Sequence, residues 1–251
     1  VRVKQVENIE GIAKVVEEGL EWVKKYAKPG NHIYYGILPR SVRTRKGRGK
    51  AKDIKVGKWL WADLDFKEVV EKTEFKGCRE GQDYELECYY IEGNKVIHVK
   101  RPPLSHIINE LEKLGLTPSI IVDSGAGYHL YFELEEEIDA RELAKLEDSL
   151  INALKKHGLP IDPQARDLAR ILRLPGSINP RVNRVVKVIY TNPVKYWPKY
   201  LEVLLRNYLS KTSQKHKGDR EVAEDNLRVL NDTQLLTIKD VLIDAYRPGY
   251  R

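Results

Sequence analysis

Methionine is absent from this chain of 251 residues, and no long hydrophobic run occurs in it. Because position 1 holds valine, we expect that Val1 is not the natural start and that the sequence belongs to a longer protein. No apolar run approaches the ~20 residues needed to span a bilayer, which excludes a helical membrane protein. A secretory signal is also missing, so we expect a cytoplasmic protein. The chain has no His-x-His pair, which excludes a rolling-circle nickase.

Cysteine is scarce, with only Cys78 and Cys88 present. Their long spacing, and the distance to His98 and His106, differ from compact zinc-binding pairs, so zinc is not expected. A disulfide between the two cysteines and a pair of reduced thiols are the alternatives. Abundant Lys and Glu with little Gln is typical of hyperthermophiles, whose cytosol tolerates disulfides.

Positive charge exceeds negative charge, with Lys+Arg 44 against Asp+Glu 37 and a formal net charge of +7. This surplus favours a polyanionic partner. Basic residues concentrate in the segment 41–58, which we call the basic loop and which could also be an ordinary solvated loop. The residues that we expect to contact DNA there are Arg43, Arg45, Lys46, Arg48 and Lys50.

Hydrophobic periodicity predicts alternating helices and strands, with a hairpin in the middle. The predicted helices are 8–27, 102–114, 139–157 and 196–209, and the predicted strands are 32–39, 58–66, 119–122, 128–134 and 185–190. Residues 75–100 predict a hairpin that turns at Gly93-Asn94. Because no strict βαβ rhythm is present, the pattern favours an α/β (α+β) fold with mixed or antiparallel sheets flanked by helices.

The domain organisation follows from composition. We expect a main domain over 1–209 that carries a hairpin insertion at about 72–101. The polar and basic stretch 210–218 has the composition of a linker. The remaining segment, 219–251, predicts the helical start of a truncated C-terminal module.

Two acids lie two residues apart in the apolar segment 59–66. Strand side chains alternate between faces, so Asp63 and Asp65 should project from one side while Leu60, Ala62 and Leu64 face the core. Two such carboxylates repel each other unless a cation lies between them. Because oxygen ligands suit Mg²⁺ or Mn²⁺, the strand predicts a metal site, with a surface acid pair as the alternative.

A third acidic ligand is usually needed, and the candidates are Asp123, Asp162 and Asp167. Asp123 precedes a turn and can simply shape it. Asp167 begins a stretch that we interpret as helical, where it can be the N-cap. We favour Asp162, which ends the apolar run 159–161 ahead of a proline that holds the chain extended.

Residues 124–129 read Ser-Gly-Ala-Gly-Tyr-His and predict a glycine turn followed by a strand. Downstream of Asp162, residues 173–179 read Arg-Leu-Pro-Gly-Ser-Ile-Asn. Taken in order, these motifs resemble the primase–polymerase branch of the archaeo-eukaryotic primase superfamily, and in particular the prim-pol domains of archaeal plasmid replication proteins. The family's acid-x-acid strand matches Asp63-Leu64-Asp65, and its Ser-Gly-x-Gly-x-His motif matches residues 124–129. Its third region pairs a metal-binding aspartate with Arg-x-Pro-Gly-(Ser/Thr)-x-Asn, which matches Asp162 and residues 173–179. The resemblance covers roughly residues 30–195.

The resemblance implies a two-metal site of Mg²⁺ or Mn²⁺ at Asp63, Asp65 and Asp162. Arg170, three residues before Arg173 on the expected helix, is a further candidate that could equally form a surface salt bridge. Backbone amides near the two glycines of the second motif can approach phosphates closely, since glycine has no Cβ. The implied nucleotide-binding residues are Ser124, Gly125, Gly127, His129, Arg173, Asn179 and Arg40.

The implied activity is that of a DNA primase and template-directed DNA polymerase in the replication of an archaeal plasmid or related mobile element. Its expected partners are single-stranded DNA template and primer, dNTP or NTP, and a helicase or helical domain further along the full-length chain. One alternative is a repair-type gap-filling polymerase of the same superfamily. The other is a non-catalytic single-stranded DNA-binding replication initiator, in which Trp59, Trp61, Tyr89 and Tyr90 would stack on bases, although core or hairpin packing is the favoured interpretation of these rings.

Overall fold

The computed structural model describes residues 25–26, 30–41, 49–72 and 75–206. Almost all of the predicted first helix lies outside the described residues. The same holds for residues 42–48 of the basic loop, the predicted linker and the C-terminal segment.

Strands and helices are intermixed along the described chain. In chain order the strands are β1 (Tyr34–Gly36), β2 (Val56–Leu64), β3 (Lys67–Val70), β4 (Gly77–Glu80), β5 (Leu86–Glu92), β6 (Lys95–Arg101), β7 (Ile120–Asp123), β8 (Tyr128–Asp139), β9 (Ile171–Arg173), β10 (Ile178–Asn179), β11 (Arg184–Val185), β12 (Lys187–Thr191) and β13 (Lys195–Tyr196). The helices are α1 (Leu104–Lys113), α2 (Ala140–Lys156) and α3 (Pro198–Leu204), with 3₁₀ turns at Ala51–Asp53 and Pro163–Arg166. This arrangement confirms the predicted α+β class.

The long strand β8 lies at the centre of the main sheet. It pairs antiparallel with β2 on one edge and with β7 on the other, and β12 extends the sheet beyond β7. The short strand β13 pairs with β8 in parallel. Residues 128–134 are all buried, so this part of β8 is covered on both faces. A run of apolar and aromatic residues without alternation is what such a strand requires.

Helix α2 covers the sheet next to β2 and β8. Asp139 caps its start, since a carboxylate oxygen of Asp139 accepts a hydrogen bond from the Arg141 amide at 2.7 Å. Leu143, Leu146 and Leu150 recur at helical spacing and are buried against the sheet. The predicted helix 139–157 is therefore confirmed to within one residue at each end.

The predicted insertion is larger than a hairpin. Strands β5 and β6 do form the expected hairpin, and Gly93 in its turn has a left-handed φ of 62°. However, β3 and β4 pair on either side of them and complete a four-stranded antiparallel sheet. The sequence concealed β3 and β4 because most of their residues are exposed and carry no apolar alternation. We call the sheet formed by β3, β4, β5 and β6 the insertion sheet.

A disulfide joins Cys78 to Cys88, which face each other directly across β4 and β5. The sequence left a disulfide and a pair of reduced thiols as alternatives, and the structure contains the disulfide. His98 on β6 is buried, because its ring stacks on Tyr89 and lies between the carboxylates of Glu68 and Glu87.

The prediction of a helix after Asp167 is wrong. Residues 171–173 form β9, which pairs antiparallel with β1. The β-branched Ile171 suits a strand, and the Tyr34–Gly36 strand supplies the partner edge that the local sequence does not reveal.

None of the helices in the described residues is long and apolar enough to cross a bilayer.

Candidate active site

A short segment after α2 brings the third acidic residue beside the first. The Asp162 amide donates a hydrogen bond to the carbonyl oxygen of Asp63 at 2.9 Å, and the Asp65 amide donates to the carbonyl oxygen of Pro160 at 2.9 Å. Residues 160–162 therefore add to the edge of β2 that β8 leaves unpaired. Asp162 also caps the following 3₁₀ turn, since it accepts from the Gln164 amide at 2.9 Å.

Arg170 connects the two acids. Its Nη2 donates to Oδ2 of Asp63 at 2.9 Å and to Oδ2 of Asp162 at 2.5 Å. Both carboxylates thus approach a single cationic nitrogen. Burial opposes the charge on this guanidinium, but the two carboxylates outweigh burial and raise the pKa of Arg170. The sequence left the role of Arg170 open. In the structure this residue is a central part of the site, because it bonds both acids.

Asp65 faces a different cation. Its Oδ2 accepts a hydrogen bond from Nζ of Lys67 at 2.6 Å, and its side chain is 38% exposed. Across the part of the chain that the structure describes, no group of three or more His, Cys, Asp and Glu side chains is arranged to hold a metal ion. The donor set still fits a divalent cation in its chemistry, because the oxygens of Asp63 and Asp162 already converge on one positive charge.

His129 lies directly opposite Asp63 in the β2–β8 register. Its Nε2 is 3.8 Å from Oδ1 of Asp63, and the residue is only 3% exposed. Burial is the largest of the influences that together lower the pKa of His129 to about 4; Asp63 opposes the shift, and Arg173 and Arg170 add to it. The imidazole is therefore neutral near pH 7. Its Nδ1 is buried and has no hydrogen-bond partner among the described residues.

The glycine turn packs against the end of β2. Gly125 has a left-handed φ of 92°, and a Cβ on Gly127 would collide with the carbonyl oxygen of Leu64. The Gly125 amide donates to Oδ1 of Asp123 at 2.7 Å, and the Gly127 amide donates to Oγ of Ser124 at 3.0 Å. These amides hold the turn together, which differs from their predicted role as phosphate donors.

Asp123 anchors this turn to the insertion sheet. Nη1 and Nη2 of Arg101 donate to its two carboxylate oxygens at 2.5 and 3.0 Å, and both side chains are almost completely buried. Nη2 of Arg184 adds a contact at 3.3 Å, and the Arg101 guanidinium lies over the Tyr128 ring. The alternative that Asp123 only shapes the turn thus fits the structure. Sequence reasoning missed Arg101, which had no motif around it.

Asn179 fastens the other side of the turn. Its Nδ2 donates to the carbonyl oxygen of Ser124 at 2.9 Å, and its Oδ1 accepts from the Arg181 amide at 3.2 Å. Since Asn179 is buried and both of its amide atoms are engaged, it closes the turn rather than presenting a free amide. Ser124 is also buried and bonded within the turn, so both residues stabilise the turn that precedes β8.

Arg173 lies beside an exposed aromatic pair. Its Nη1 is 3.0 Å from Nδ1 of His32, and its guanidinium is 5.1 Å from the centre of the Tyr34 ring. His32 and Tyr34 stack nearly parallel and are exposed, whereas Arg173 is buried. Burial lowers the pKa of Arg173, and the charge of Asp63 is among the influences that oppose this shift.

The structure describes Arg40 and, of the predicted DNA-contacting residues in the basic loop, Lys50. Arg40 donates to the carbonyl oxygens of Leu38 and Ala169, so it braces the segment that carries Arg170 instead of projecting into open space. Lys50 is exposed, and its amide donates to Oδ2 of Asp53 at 2.7 Å. The other predicted DNA-contacting residues lie outside the described residues.

Comparisons with known proteins give a limited result. No protein-family model and no curated protein sequence matches the chain. The solved AEP domain of the cyanophage S-2L primase–polymerase is similar, with 16% identity and a TM-score of 0.49, over 74% of this chain and 76% of that one. The catalytic domain of primase Repb', solved in complex with initiator DNA, is similar at 12% identity and a TM-score of 0.47, over 82% and 80%.

Proposed function

We propose that this chain is the catalytic domain of a DNA primase and template-directed DNA polymerase. It would transfer a nucleotide from dNTP or NTP to a 3′-hydroxyl group, within the replication of a plasmid or related mobile element. The observation that carries the proposal is the contact between Asp162 and Asp63. That contact joins the first and third motifs at the free edge of β2, where Arg170 bonds both acids and His129 of the second motif lies opposite Asp63.

The acidic residues would hold Mg²⁺ or Mn²⁺. Asp63 and Asp162 already bind the same positive group, the guanidinium of Arg170. Asp65 would join them at the metal once its carboxylate releases Lys67. The ions would supply activation of the 3′-hydroxyl and neutralisation of the triphosphate. Asp63, Asp65 and Asp162 are the residues to which we assign metal binding.

The remaining side chains would bind and orient the nucleotide. Neutral His129, with a buried ring nitrogen that lacks a partner among the described residues, can donate to or accept from a phosphate group. Arg173 would stabilise negative charge on the phosphates. The protein then contributes alignment and charge neutralisation rather than covalent chemistry.

The alternative of a non-catalytic single-stranded DNA binder loses two of its stacking residues. Trp59 and Trp61 are buried in the main core, and Nε1 of Trp61 donates to the carbonyl oxygen of Ala165 at 2.7 Å. Neither ring can therefore stack on a base.

Primer synthesis on unprimed single-stranded DNA, with Mg²⁺ or Mn²⁺, tests the proposal. Asp63→Ala combined with Asp65→Ala should abolish the product and leave DNA retention nearly intact. The matched control is Glu135→Ala with Glu136→Ala, which removes two exposed acids from β8 and should retain activity. Full activity in the first double variant would overturn the metal assignment. A wild-type protein that retains DNA but makes no product with either ion would favour the binder.

A further inference from the structure

Arg170 lies at the point where a divalent cation would meet Asp63 and Asp162. Its Nη2 contacts one oxygen of each carboxylate, at 2.9 and 2.5 Å. Carboxylate oxygens are also the ligands that Mg²⁺ and Mn²⁺ prefer. The guanidinium and a metal ion would therefore compete for the same two oxygens.

Hydrogen bonds fix the backbone around Arg170, whereas its side chain is held only by Nη2 at the far end of the guanidinium. The Arg170 amide donates to the carbonyl oxygen of Asp167 at 2.7 Å, and Arg40 donates to the neighbouring carbonyl oxygen of Ala169 at 3.0 Å. By contrast, Nε of Arg170 is buried and has no hydrogen-bond partner among the described residues. A guanidinium that pivots about a fixed backbone position can change its partner without disturbing the sheet.

Arg101 shows what a permanently bound arginine looks like in this protein. Its Nε and Nη2 donate to the carbonyl oxygen of Tyr84 at 3.0 and 2.8 Å, and its Nη1 and Nη2 both bind Asp123. This use of the whole planar fork gives a rigid ion pair. Arg170 reaches its two acids through Nη2 alone, which is an arrangement that a divalent cation can replace.

We propose that Arg170 is a displaceable internal counter-ion of the catalytic acids. A divalent cation replaces its guanidinium between Asp63 and Asp162, and the released guanidinium then pairs with the triphosphate of the nucleotide. This inference rests on the proposed function. It adds a coupling in which the metal ion alone binds weakly because it must displace Arg170. The metal ion and nucleotide together bind well because the displaced charge gains a new partner.

Arg170→Gln should change two affinities in opposite directions. The affinity for Mn²⁺ alone, measured by the electron paramagnetic resonance of free Mn²⁺, should rise about tenfold because no guanidinium remains to be displaced. The affinity for a non-hydrolysable dNTP in saturating Mn²⁺ should fall about tenfold because a phosphate contact is lost. The matched control is Arg166→Gln. This variant removes the positive charge of a nearby arginine that binds Asp148, and it should change neither affinity.

Other outcomes overturn the inference. If Arg170→Gln weakens both affinities, Arg170 is a fixed part of the site, and if it changes neither, Arg170 is a bystander. Failure of the proposed function looks different, because the wild-type protein would then make no primer and Asp63→Asn would leave Mn²⁺ binding unchanged.

A measurement on the wild-type protein avoids dependence on the folding of the variant. In ¹⁵N-arginine NMR, saturating Mg²⁺ should shift the Arg170 side-chain signal and accelerate its hydrogen exchange. The Arg101 signal should remain unchanged and serves as the internal reference. An Arg170 signal that stays fixed while Mg²⁺ binds would contradict displacement.

Discussion

The Asp162 amide donates a hydrogen bond to the carbonyl oxygen of Asp63 at 2.9 Å. This bond joins the segment after α2 to the free edge of β2, and it sets two carboxylates side by side from distant parts of the chain. Because the contact is made by the backbone, both acids are held on rigid elements. Such rigidity is what a site that works by alignment and charge requires.

Asp162→Asn should lower primer extension at least about 100-fold, because loss of one charged ligand removes much of the charge stabilisation at the metal. The fold should survive, since the backbone bond to Asp63 does not use the side chain. Initial rates and far-UV circular dichroism would check the two statements. Asp148→Asn, which removes a nearby carboxylate bound to Arg166, should keep its activity. Equal rates in the two variants would contradict the role of Asp162.

Asp123→Asn should destabilise the protein rather than act on the chemistry. It leaves the buried Arg101 charge without its carboxylate, and breaking a buried pair in this way costs about 3–5 kcal/mol. Urea unfolding would give the change in the free energy of unfolding. Lys113→Gln breaks the exposed pair with Glu110 and should leave stability nearly unchanged. A stable but inactive Asp123→Asn variant would instead assign Asp123 to the catalytic acids.

Glu147 predicts a pH dependence of stability. Its carboxyl is fully buried behind β2, where Oε2 accepts from the Trp61 amide at 3.1 Å, and burial raises the pKa of Glu147 well above its usual value. In the unfolded chain this group ionises near pH 4.5, whereas in the folded protein it stays protonated to higher pH. The free energy of unfolding should therefore fall as pH rises above about 4.5.

Glu147→Gln should remove this loss, so its urea midpoint should change less than that of the wild-type protein between pH 5 and pH 8. Glu142→Gln, on the exposed face of the same helix, should retain the wild-type pH dependence. Parallel curves for all three proteins would contradict a protonated Glu147.

The disulfide predicts a sensitivity to reduction. Cys78 and Cys88 close a short loop within the insertion sheet, so reduction should lower the free energy of unfolding by about 2–4 kcal/mol. Thermal unfolding with and without dithiothreitol would measure this change. Cys78→Ser combined with Cys88→Ser should unfold identically in both conditions. Two free thiols in the untreated protein, as counted by a thiol reagent, would contradict the bond.

The sequence by itself determined the local structure and the chemistry of its motifs. Apolar spacing at 3.6 residues predicted α2, because that period places one face of a helix against the core. The apolar run with two acids predicted β2, and the glycines predicted the turn before β8. These features depend on neighbours in the chain, so a linear pattern contains the necessary information.

The tertiary structure alone decided which of the candidate acids meet. Asp123 follows a predicted strand and Asp162 follows an apolar run, yet Asp123 pairs with Arg101 and Asp162 lies beside Asp63. The outcome depends on the edge of β2 that remains free and on the insertion sheet that covers the glycine turn. Local sequence does not encode these long-range pairings, because they follow from how the whole chain buries its apolar surface. For the same physical reason, only the fold could bring Arg170 between the two carboxylates.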